Sequence, residues 1–337
     1  MQTSQPNNLP KLAENILAIL RCLDCQGSLL EESAGLRCEK CGRTYPVLKG
    51  IARFVDEQHY AGSFGFQWLT FRDTQLDSEE SRRSEADFRR RTGFEPEDLA
   101  GKLVLDVGCG MGRFAEVATR WGAQVVGIDL SLAEEAAAEN LKDRNATFFQ
   151  ADVFRLPFAP ESFDVIYSIG VLHHTPDCEK AFKSLPRLLK PGGKIAIWLY
   201  SAYHKWYRMS DVYRKATRRM SPRTLHKLCY VSVPAYHVHQ VLRAIPLIGK
   251  PISGVLKYLV PMSFNPDPKW RVLDTLDWYS PWYQSKHTYE EVFRWFEDCG
   301  LEDLRVILQP IAVQGRKPSN ADLGAGADRV EAEQCAV

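Results

Sequence analysis

The sequence lacks an excess of charge of either sign. Its 337 residues include 43 Lys and Arg against 42 Asp and Glu, which leaves a formal net charge of +1. A protein that holds nucleic acid through its overall charge is strongly basic, so the composition does not indicate that mode of binding, although a local basic patch is still allowed. Hydrophobic residues at 45% and charged residues at 25% are ordinary for a folded globular domain and argue against a disordered or fibrous protein.

Long hydrophobic runs are also missing. No stretch of about 18 or more apolar residues is free of charge, so the sequence predicts no transmembrane segment. Residues 1–15 lack the basic and then apolar pattern of a secretory signal peptide. Four of the nine cysteines are tightly clustered, which favours a metal site and free thiols over a disulfide framework. Together these features predict a cytoplasmic protein.

The chain divides into six segments by composition and pattern, and its length allows about two domains. In the middle of the chain, apolar strands alternate with helical patterns, which predicts an α/β fold with a mainly parallel sheet. The segments are a cysteine cluster at 1–54, a linker or helical segment at 55–98, an α/β core at 99–200, a helical insertion or cap at 201–287, the end of the core at 288–316 and a disordered tail at 317–337.

The cysteine cluster has the spacing of a metal site. Cys22 and Cys25 form one C-x-x-C pair, and Cys38 and Cys41 form a second pair after twelve residues. Two such pairs can place four thiolates around a tetrahedral ion, and we expect structural Zn²⁺ because nothing nearby suggests redox chemistry. The alternative is a set of four unligated cysteines. With residues 45–54 the segment resembles the Trm112-like zinc ribbon family, and this resemblance implies a docking module for a protein partner.

A glycine-rich turn follows the first strand of the core. Residues 102–107 form an apolar strand that leads to Gly108, Gly110 and Gly112, and a helical pattern begins after them. Glycines in such a turn let the backbone approach a ligand at a helix N-terminus. The last glycine comes one residue too early for a dinucleotide fingerprint, and Asp106 would repel a pyrophosphate but suits a cation. This D-x-G-x-G-x-G pattern resembles the class I methyltransferases, whose methyl donor S-adenosylmethionine (SAM) carries an ammonium and a sulfonium.

Further motifs extend this resemblance across residues 99–200. Asp129 ends a second strand, where a carboxylate can accept hydrogen bonds from both ribose hydroxyls. The resemblance places Asp152 beside the adenine, with the backbone N–H of Val153 as a donor, and Ile169 ends the fourth strand. It therefore implies a Rossmann-like seven-stranded methyltransferase sheet of the type 11 kind that binds SAM through Asp106, Gly108, Gly110, Gly112, Asp129, Asp152, Val153 and Ile169. An α/β domain that binds no nucleotide is the alternative.

Two adjacent histidines are the candidate catalytic residues. His173 and His174 follow the fourth strand, on the side where the methyl group is expected. Histidine titrates near neutrality, so either side chain could act as a general base toward a hydroxyl or protonated amine. The alternative is that one ring packs against the loop while the other is exposed. Tyr200 and His204, after the fifth strand, are weaker candidates.

The insertion begins with a basic segment and continues with an apolar one. Residues 203–227 contain eight Lys or Arg and one acid, Asp211, with aromatic residues between them. Such a segment could meet an anionic partner: a nucleotide sugar, a phospholipid surface or RNA. The apolar run at 231–261 could form a lid, a lipid-facing surface, a dimer contact or simply the packed side of a helical cap.

The motifs together predict a SAM-dependent methyltransferase that acts on a small molecule, such as a saccharide, lipid or natural-product intermediate. One alternative is an rRNA or tRNA methyltransferase that binds RNA through the ribbon and the basic insertion, which the near-neutral charge disfavours. A second alternative is a non-enzymatic, partner-binding protein with the same fold. The intact Asp106, Asp129 and glycine loop argue against loss of the cofactor site.

Overall fold

The computed structural model of the protein describes residues 12–33, 35–55, 62–72, 74–78, 81–203 and 208–322. His204 and residues 323–337 of the expected tail lie outside them. The described residues form a mixed sheet flanked by helices, as the predicted α/β class requires. Residues 317–322 are part of this structure, since the Lys317 N–H donates to the Gly193 carbonyl at 2.8 Å.

The amino-terminal segment is a small ribbon of short strands. Gly35 begins the second strand, and a Cβ added there would lie 2.2 Å from the carbonyl oxygen of Tyr45 on the third strand, so these two strands can approach closely only with glycine there. Tyr45 itself is buried in the main apolar core. The elements are α1 (Glu14–Ile19), β1 (Leu29–Glu32), β2 (Gly35–Cys38), β3 (Thr44–Leu48) and β4 (Ile51–Arg53).

The centre of the chain alternates strands and helices after three leading helices. Short 3-10 turns at Leu172–His174 and Pro186–Leu188 connect the later elements. The elements are α2 (Gly62–Thr70), α3 (Arg83–Thr92), α4 (Pro96–Leu99), β5 (Leu103–Val107), α5 (Arg113–Arg120), β6 (Gln124–Asp129), α6 (Ala133–Asn140), β7 (Ala146–Gln150), β8 (Phe163–Ile169), α7 (Cys178–Lys183) and β9 (Leu189–Trp198).

The insertion is helical, and the chain then returns to the sheet. Side chains of Ser221, Asp267 and Thr288 accept a backbone N–H three residues on and so fix where three of these helices begin. No helix in the described part of the chain is both long enough and apolar enough to cross a lipid bilayer. The elements are α8 (Arg208–Thr217), α9 (Pro222–Cys229), α10 (Ser232–Ala244), α11 (Gly249–Leu259), α12 (Pro268–Tyr279), α13 (Tyr289–Asp298), β10 (Glu302–Val306) and β11 (Ala312–Arg316).

The sheet has eleven strands among the described residues, so the prediction of seven was wrong. Their order is β1-β2-β3-β4-β7-β6-β5-β8-β9-β11-β10. The seven strands from β7 to β10 are those of the expected sheet. The ribbon adds four more because Ala52 and Arg53 of β4 pair in parallel with Phe149 and Gln150 of β7. The ribbon therefore continues the core sheet instead of forming a separate layer.

The central strands are buried on both faces. Alternate residues point to opposite sides, as the pleat requires. Leu105 and Ile166 belong to one apolar cluster, whereas Val104 and Val165 belong to the other. Strands covered on both faces read as nearly continuous apolar runs, which is why β5 and β8 could be recognised in the sequence.

Candidate functional site

A cavity of about 470 Å³ opens at the carboxyl ends of the parallel strands. Its floor is formed by residues that follow β5, β6, β7 and β8, and its other walls come from α2, α3 and α12. Strand β5 pairs with β6 on one side and β8 on the other, and this is the switch point at which open α/β sheets bind ligands. The volume lies within the usual range for a small-molecule site, about 300–1,000 Å³.

The loop after β5 adopts a backbone conformation that favours glycine. Gly108, Gly110 and Gly112 have φ of +80°, +53° and +86°. A Cβ on Gly108 would come within 2.3 Å of the Val171 side chain, and one on Gly110 would lie 3.2 Å from the Trp68 indole. The loop is thus a close-fitting backbone cradle before α5 with little room for a side chain, and Gly108 and Gly110 line the cavity.

Asp129 connects the end of β6 to this loop. Its Oδ2 accepts the Gly110 N–H at 3.0 Å, and its Oδ1 accepts the N–H and hydroxyl of Ser131 at 2.9 and 2.7 Å. These bonds hold the half-buried carboxylate at the cavity wall. A carboxylate only accepts hydrogen bonds, so at this wall it suits a ligand that presents hydroxyl donors.

Asp106 lies deeper, on β5. It is buried, and its Oδ2 has no hydrogen-bond partner among the described residues. Burial raises the pKa of Asp106 to about 8, and the negative charge of Asp129 adds to this rise. An unpartnered carboxylate oxygen under the loop suits a cationic ligand, which would stabilise the ionised form. Asp106 and Gly112 do not line the cavity themselves.

The remaining predicted cofactor residues come together on the same floor. Asp152, Val153 and Ile169 all line the cavity. The Asp152 Oδ1 accepts the Phe154 N–H at 3.0 Å, and the Val153 carbonyl accepts the Ser184 hydroxyl at 2.8 Å. Six of the eight residues that the sequence predicted for SAM therefore border one cavity.

The two histidines occupy different positions. His174 lines the cavity, and its Nδ1 lies 3.0 Å from the Tyr283 carbonyl oxygen. A carbonyl only accepts, so Nδ1 carries the proton and Nε2 has the lone pair; Nε2 is buried without a partner in the part of the chain described. Burial lowers the pKa of His174, which favours the neutral ring.

His173 lies behind the cavity wall and does not line it. Its ring stacks on Tyr200, with centroids 4.0 Å apart and planes at 30°. It is fully buried, and burial lowers its pKa well below the ordinary value. These contacts suit a packing role that supports Tyr200, and they place His174 alone of the pair at the cavity.

Helix α12 supplies residues that the sequence analysis did not single out. Trp270, Leu273, Asp274, Asp277 and Trp278 line the cavity from one face of this helix. Tyr200, a weaker candidate, donates its hydroxyl to the Asp277 Oδ2 at 2.8 Å. Burial raises the pKa of Asp274 to about 6. Spacings of three and four residues place side chains on one helix face. The sequence could therefore have predicted that the two acids share a face of α12 with the aromatic residues.

Arginines form another part of the wall. The Arg113 guanidinium donates to the Ser84 hydroxyl at 2.9 Å and to the Asp87 carboxylate at 2.6 Å, and burial lowers its pKa to about 10. Arg91 lies over the Trp198 ring, 4.2 Å from its centroid. Both side chains line the cavity. The cavity wall thus combines aromatic faces with fixed charges.

The four cysteines of the ribbon also come together. Their sulfur atoms all lie within 4.8 Å of one another. The Sγ atoms of Cys22 and Cys41 are 3.6 Å apart, and those of Cys25 and Cys38 are 3.4 Å apart. A tetrahedral zinc ion with Zn–S bonds of about 2.3 Å needs sulfur atoms about 3.8 Å apart. The cluster therefore fits a zinc ion with small adjustments.

Comparisons with known proteins agree with this geometry over part of the chain. A family model described as a methyltransferase domain, of type 11, matches residues 105–197. "Methyltransferase GfsG" of Streptomyces halstedii is 40% identical over 105 residues, which are 29% of this chain and 37% of that protein. "Ubiquinone biosynthesis O-methyltransferase" of Pseudomonas entomophila is 34% identical over 133 residues, 38% of this chain and 57% of that protein.

One similar solved structure is a SAM-dependent methyltransferase from Mesorhizobium loti. It is 30% identical, with a TM-score of 0.31, and the match covers 34% of this chain and 52% of that one. The chain spans 37% and 57% of the lengths of the two curated relatives named above. The family match begins within β5 and ends within β9, and so covers the glycine loop, Asp129 and Asp152. Residues 105–197 therefore match the family model of type 11 methyltransferases, within an α/β fold that has a mixed sheet.

Proposed function

We propose that the protein is a methyltransferase that binds SAM in the cavity and methylates a small molecule. The observation that carries this proposal is the hydrogen bond between the Asp129 carboxylate and the Gly110 N–H, at the switch point of the sheet. This bond holds a carboxylate, which would accept the ribose hydroxyls, beside a glycine cradle. Asp152 and the Val153 backbone would contact the adenine, Ile169 would border it, and Asp106 would offset the positive charge.

Residues around the cavity could accept a proton and exclude water during methyl transfer. SAM, when bound, supplies a methyl group on a sulfonium, which is open to in-line displacement. His174 would accept the proton of the acceptor at Nε2, because its Nδ1 proton is fixed on the Tyr283 carbonyl. Trp68 of α2 and Trp278 of α12 line the cavity and would help to exclude water.

The shape of the cavity supports a small acceptor. The lining of the cavity includes Trp198, Trp270 and Trp278 together with Arg91 and Arg113. An acceptor with a flat or apolar part and a polar group would complement this surface. The relatives are named for methyl transfer and O-methyl transfer, so the RNA-binding and non-enzymatic alternatives are not favoured.

We also propose that Cys22, Cys25, Cys38 and Cys41 hold one structural zinc ion. A closed S₄ site leaves no open coordination position, so the ion would stabilise the ribbon and take no part in catalysis. The metal content of the purified protein, measured by mass spectrometry, should be about one zinc per chain. A protein partner on the ribbon and a cytoplasmic location stay predictions.

The test of the main proposal has two parts. Calorimetry should show one SAM site per chain, with S-adenosylhomocysteine competing for it. Labelled SAM should then transfer its methyl group to a compound from a cell lysate, which mass spectrometry would identify. Absence of SAM binding would overturn the proposed cofactor, whereas binding with label transferred only to RNA would overturn the small-molecule acceptor.

A further inference from the structure

Helices α10 and α11 form a hairpin that turns its large apolar side chains outward. Residues 228–260 hold thirteen of the twenty-four exposed large hydrophobic side chains in the described part of the chain, so the exposure is concentrated in one place. Leu247, in the turn between the helices, is 98% exposed, and Val241 is 68% exposed. Contiguous apolar exposure on this scale marks an interaction surface, unlike isolated exposed residues.

The contact between the two helices is made of small and polar residues. His239, Gly249 and Ser253 are buried there, and the Ser253 hydroxyl lies 2.6 Å from the His239 Nδ1. A Cβ on Gly249 would come within 2.0 Å of the Leu242 carbonyl oxygen, so the turn is tightly closed. In a helical hairpin that is exposed to water, the apolar stripe of each helix packs against the other helix or the core. In this hairpin the buried polar side chains lie between the helices and the apolar side chains lie on the outer face. The outer face therefore suits apolar surroundings.

The hairpin and the residues around it carry only positive formal charges. Residues 212–266 contain nine Lys or Arg and no Asp or Glu. Arg243 and Lys250 flank the hairpin turn, are exposed, and form no ion pair with any residue that the structure describes. A second copy of the chain would bring two cationic surfaces together. An anionic partner with an apolar interior satisfies both the charges and the exposed aliphatic side chains.

We propose that residues 228–260 dock on an anionic lipid bilayer, with the turn at 246–248 inserted among the acyl chains. At about 1.5 Å per residue, the 13 residues of α10 and the 11 of α11 span about 20 and 17 Å, less than the roughly 30 Å hydrocarbon core. The hairpin is therefore suited to lie within one leaflet, where Arg243 and Lys250 meet the lipid phosphates.

The hairpin is attached to the element that borders the cavity. Arg271 of α12 lies over the ring of Tyr236 of α10, 3.8 Å from its centroid. The same helix carries Asp277 and Trp278, which line the cavity. Docking of the hairpin would therefore hold the cavity close to the lipid surface, one helix away from it.

The experiment measures sedimentation of the full chain with vesicles. Vesicles of phosphatidylcholine with about 30% phosphatidylglycerol should bind the protein about tenfold more strongly than pure phosphatidylcholine, and added salt should weaken the binding. The double change Leu247→Glu and Ile248→Glu should reduce binding about tenfold, and Arg243→Glu with Lys250→Glu should reduce it similarly. Leu48→Glu, at an exposed leucine of the ribbon, is the matched control and should bind as the wild type does.

Three results would overturn the proposal. The first is an absence of binding to the anionic vesicles. The second is binding that the Leu247→Glu and Ile248→Glu change leaves intact, because insertion would then play no part. The third is a lipid-free dimer in analytical ultracentrifugation that the same change dissociates, which would assign the surface to a second copy. Thermal unfolding of each variant checks that the fold is kept, and SAM binding is not needed for any readout.

Discussion

Arg53 of the ribbon donates a hydrogen bond of 3.0 Å to Glu134 of α6, and both side chains are almost inaccessible to solvent. The same guanidinium donates to the Gln150 amide oxygen at 2.7 Å, and the Gln150 amide donates to the Leu130 carbonyl at 3.0 Å. Leu130 follows Asp129 at the cavity floor. A polar network therefore runs from the ribbon to the proposed cofactor site.

Loss of zinc should weaken SAM binding as well as the fold. Removal of the metal with a chelator, or the change Cys38→Ser, should lower the thermal midpoint, because so small a ribbon depends on its metal. SAM affinity should fall several-fold, since Arg53 would lose its fixed position. Calorimetry and thermal unfolding measure the two effects. Cys299→Ser, at a cysteine outside the cluster, should change neither; an unaltered thermal midpoint after complete metal removal would show that the cluster has no structural role.

The change Asp129→Asn should weaken SAM binding about 10- to 100-fold. It removes the charge from hydrogen bonds to the ribose hydroxyls and weakens the bond to the Gly110 N–H. Calorimetry at fixed pH measures the dissociation constant. Asp143→Asn, at an exposed acid away from the cavity, serves as the control and should bind normally. Equal affinities in the wild type and in Asp129→Asn would remove Asp129 from the cofactor site.

SAM affinity should depend on pH through Asp106. With its pKa raised to about 8, the carboxyl group is mainly protonated at neutral pH in the free protein. A bound cation favours the ionised form, so binding releases a proton and tightens as the pH rises toward 8, by at most about tenfold per pH unit.

The change Asp106→Asn removes that contribution. The amino group of SAM titrates as well, so the informative quantity is the difference in pH dependence between the wild type and the variant. Calorimetry in two buffers of different ionisation enthalpy would count the released protons. Identical proton release from both proteins would contradict the predicted coupling.

His174→Asn should lower kcat about 10²- to 10⁴-fold and leave SAM affinity within about twofold, because a general base contributes on this scale. Burial lowers the pKa of His174, so the wild-type rate should fall at a lower pH than a histidine with the ordinary pKa would give. His173→Asn is the comparison: it should mainly lower stability, because its buried ring packs against the rings of Tyr200 and His174. A larger loss of kcat in His173→Asn than in His174→Asn would reverse the assignment.

The local parts of the site could be predicted from the sequence, because each depends on a short pattern. The glycines from Gly108 to Gly112 predict a turn with positive φ, and the structure has it. Asp129 ends the next strand at a fixed spacing from this turn. The pairing of Ala52 with Phe149 joins residues almost a hundred positions apart, and no short pattern encodes it. The sequence could predict that the two acids of α12 share one helix face. Nothing in the sequence showed that this face lines the cavity.

The parallel pairing of β4 with β7 has a consequence for any shortened form of the protein. The Phe54 N–H also donates to the Gln150 carbonyl at 2.8 Å, which extends this seam by one residue. Expression of residues 55–337 alone would leave the backbone groups of β7 open along one side, beside the aromatic rings of Phe148 and Phe149. An exposed edge strand can pair with strands of other chains. The truncated protein should therefore self-associate at concentrations where the full chain does not.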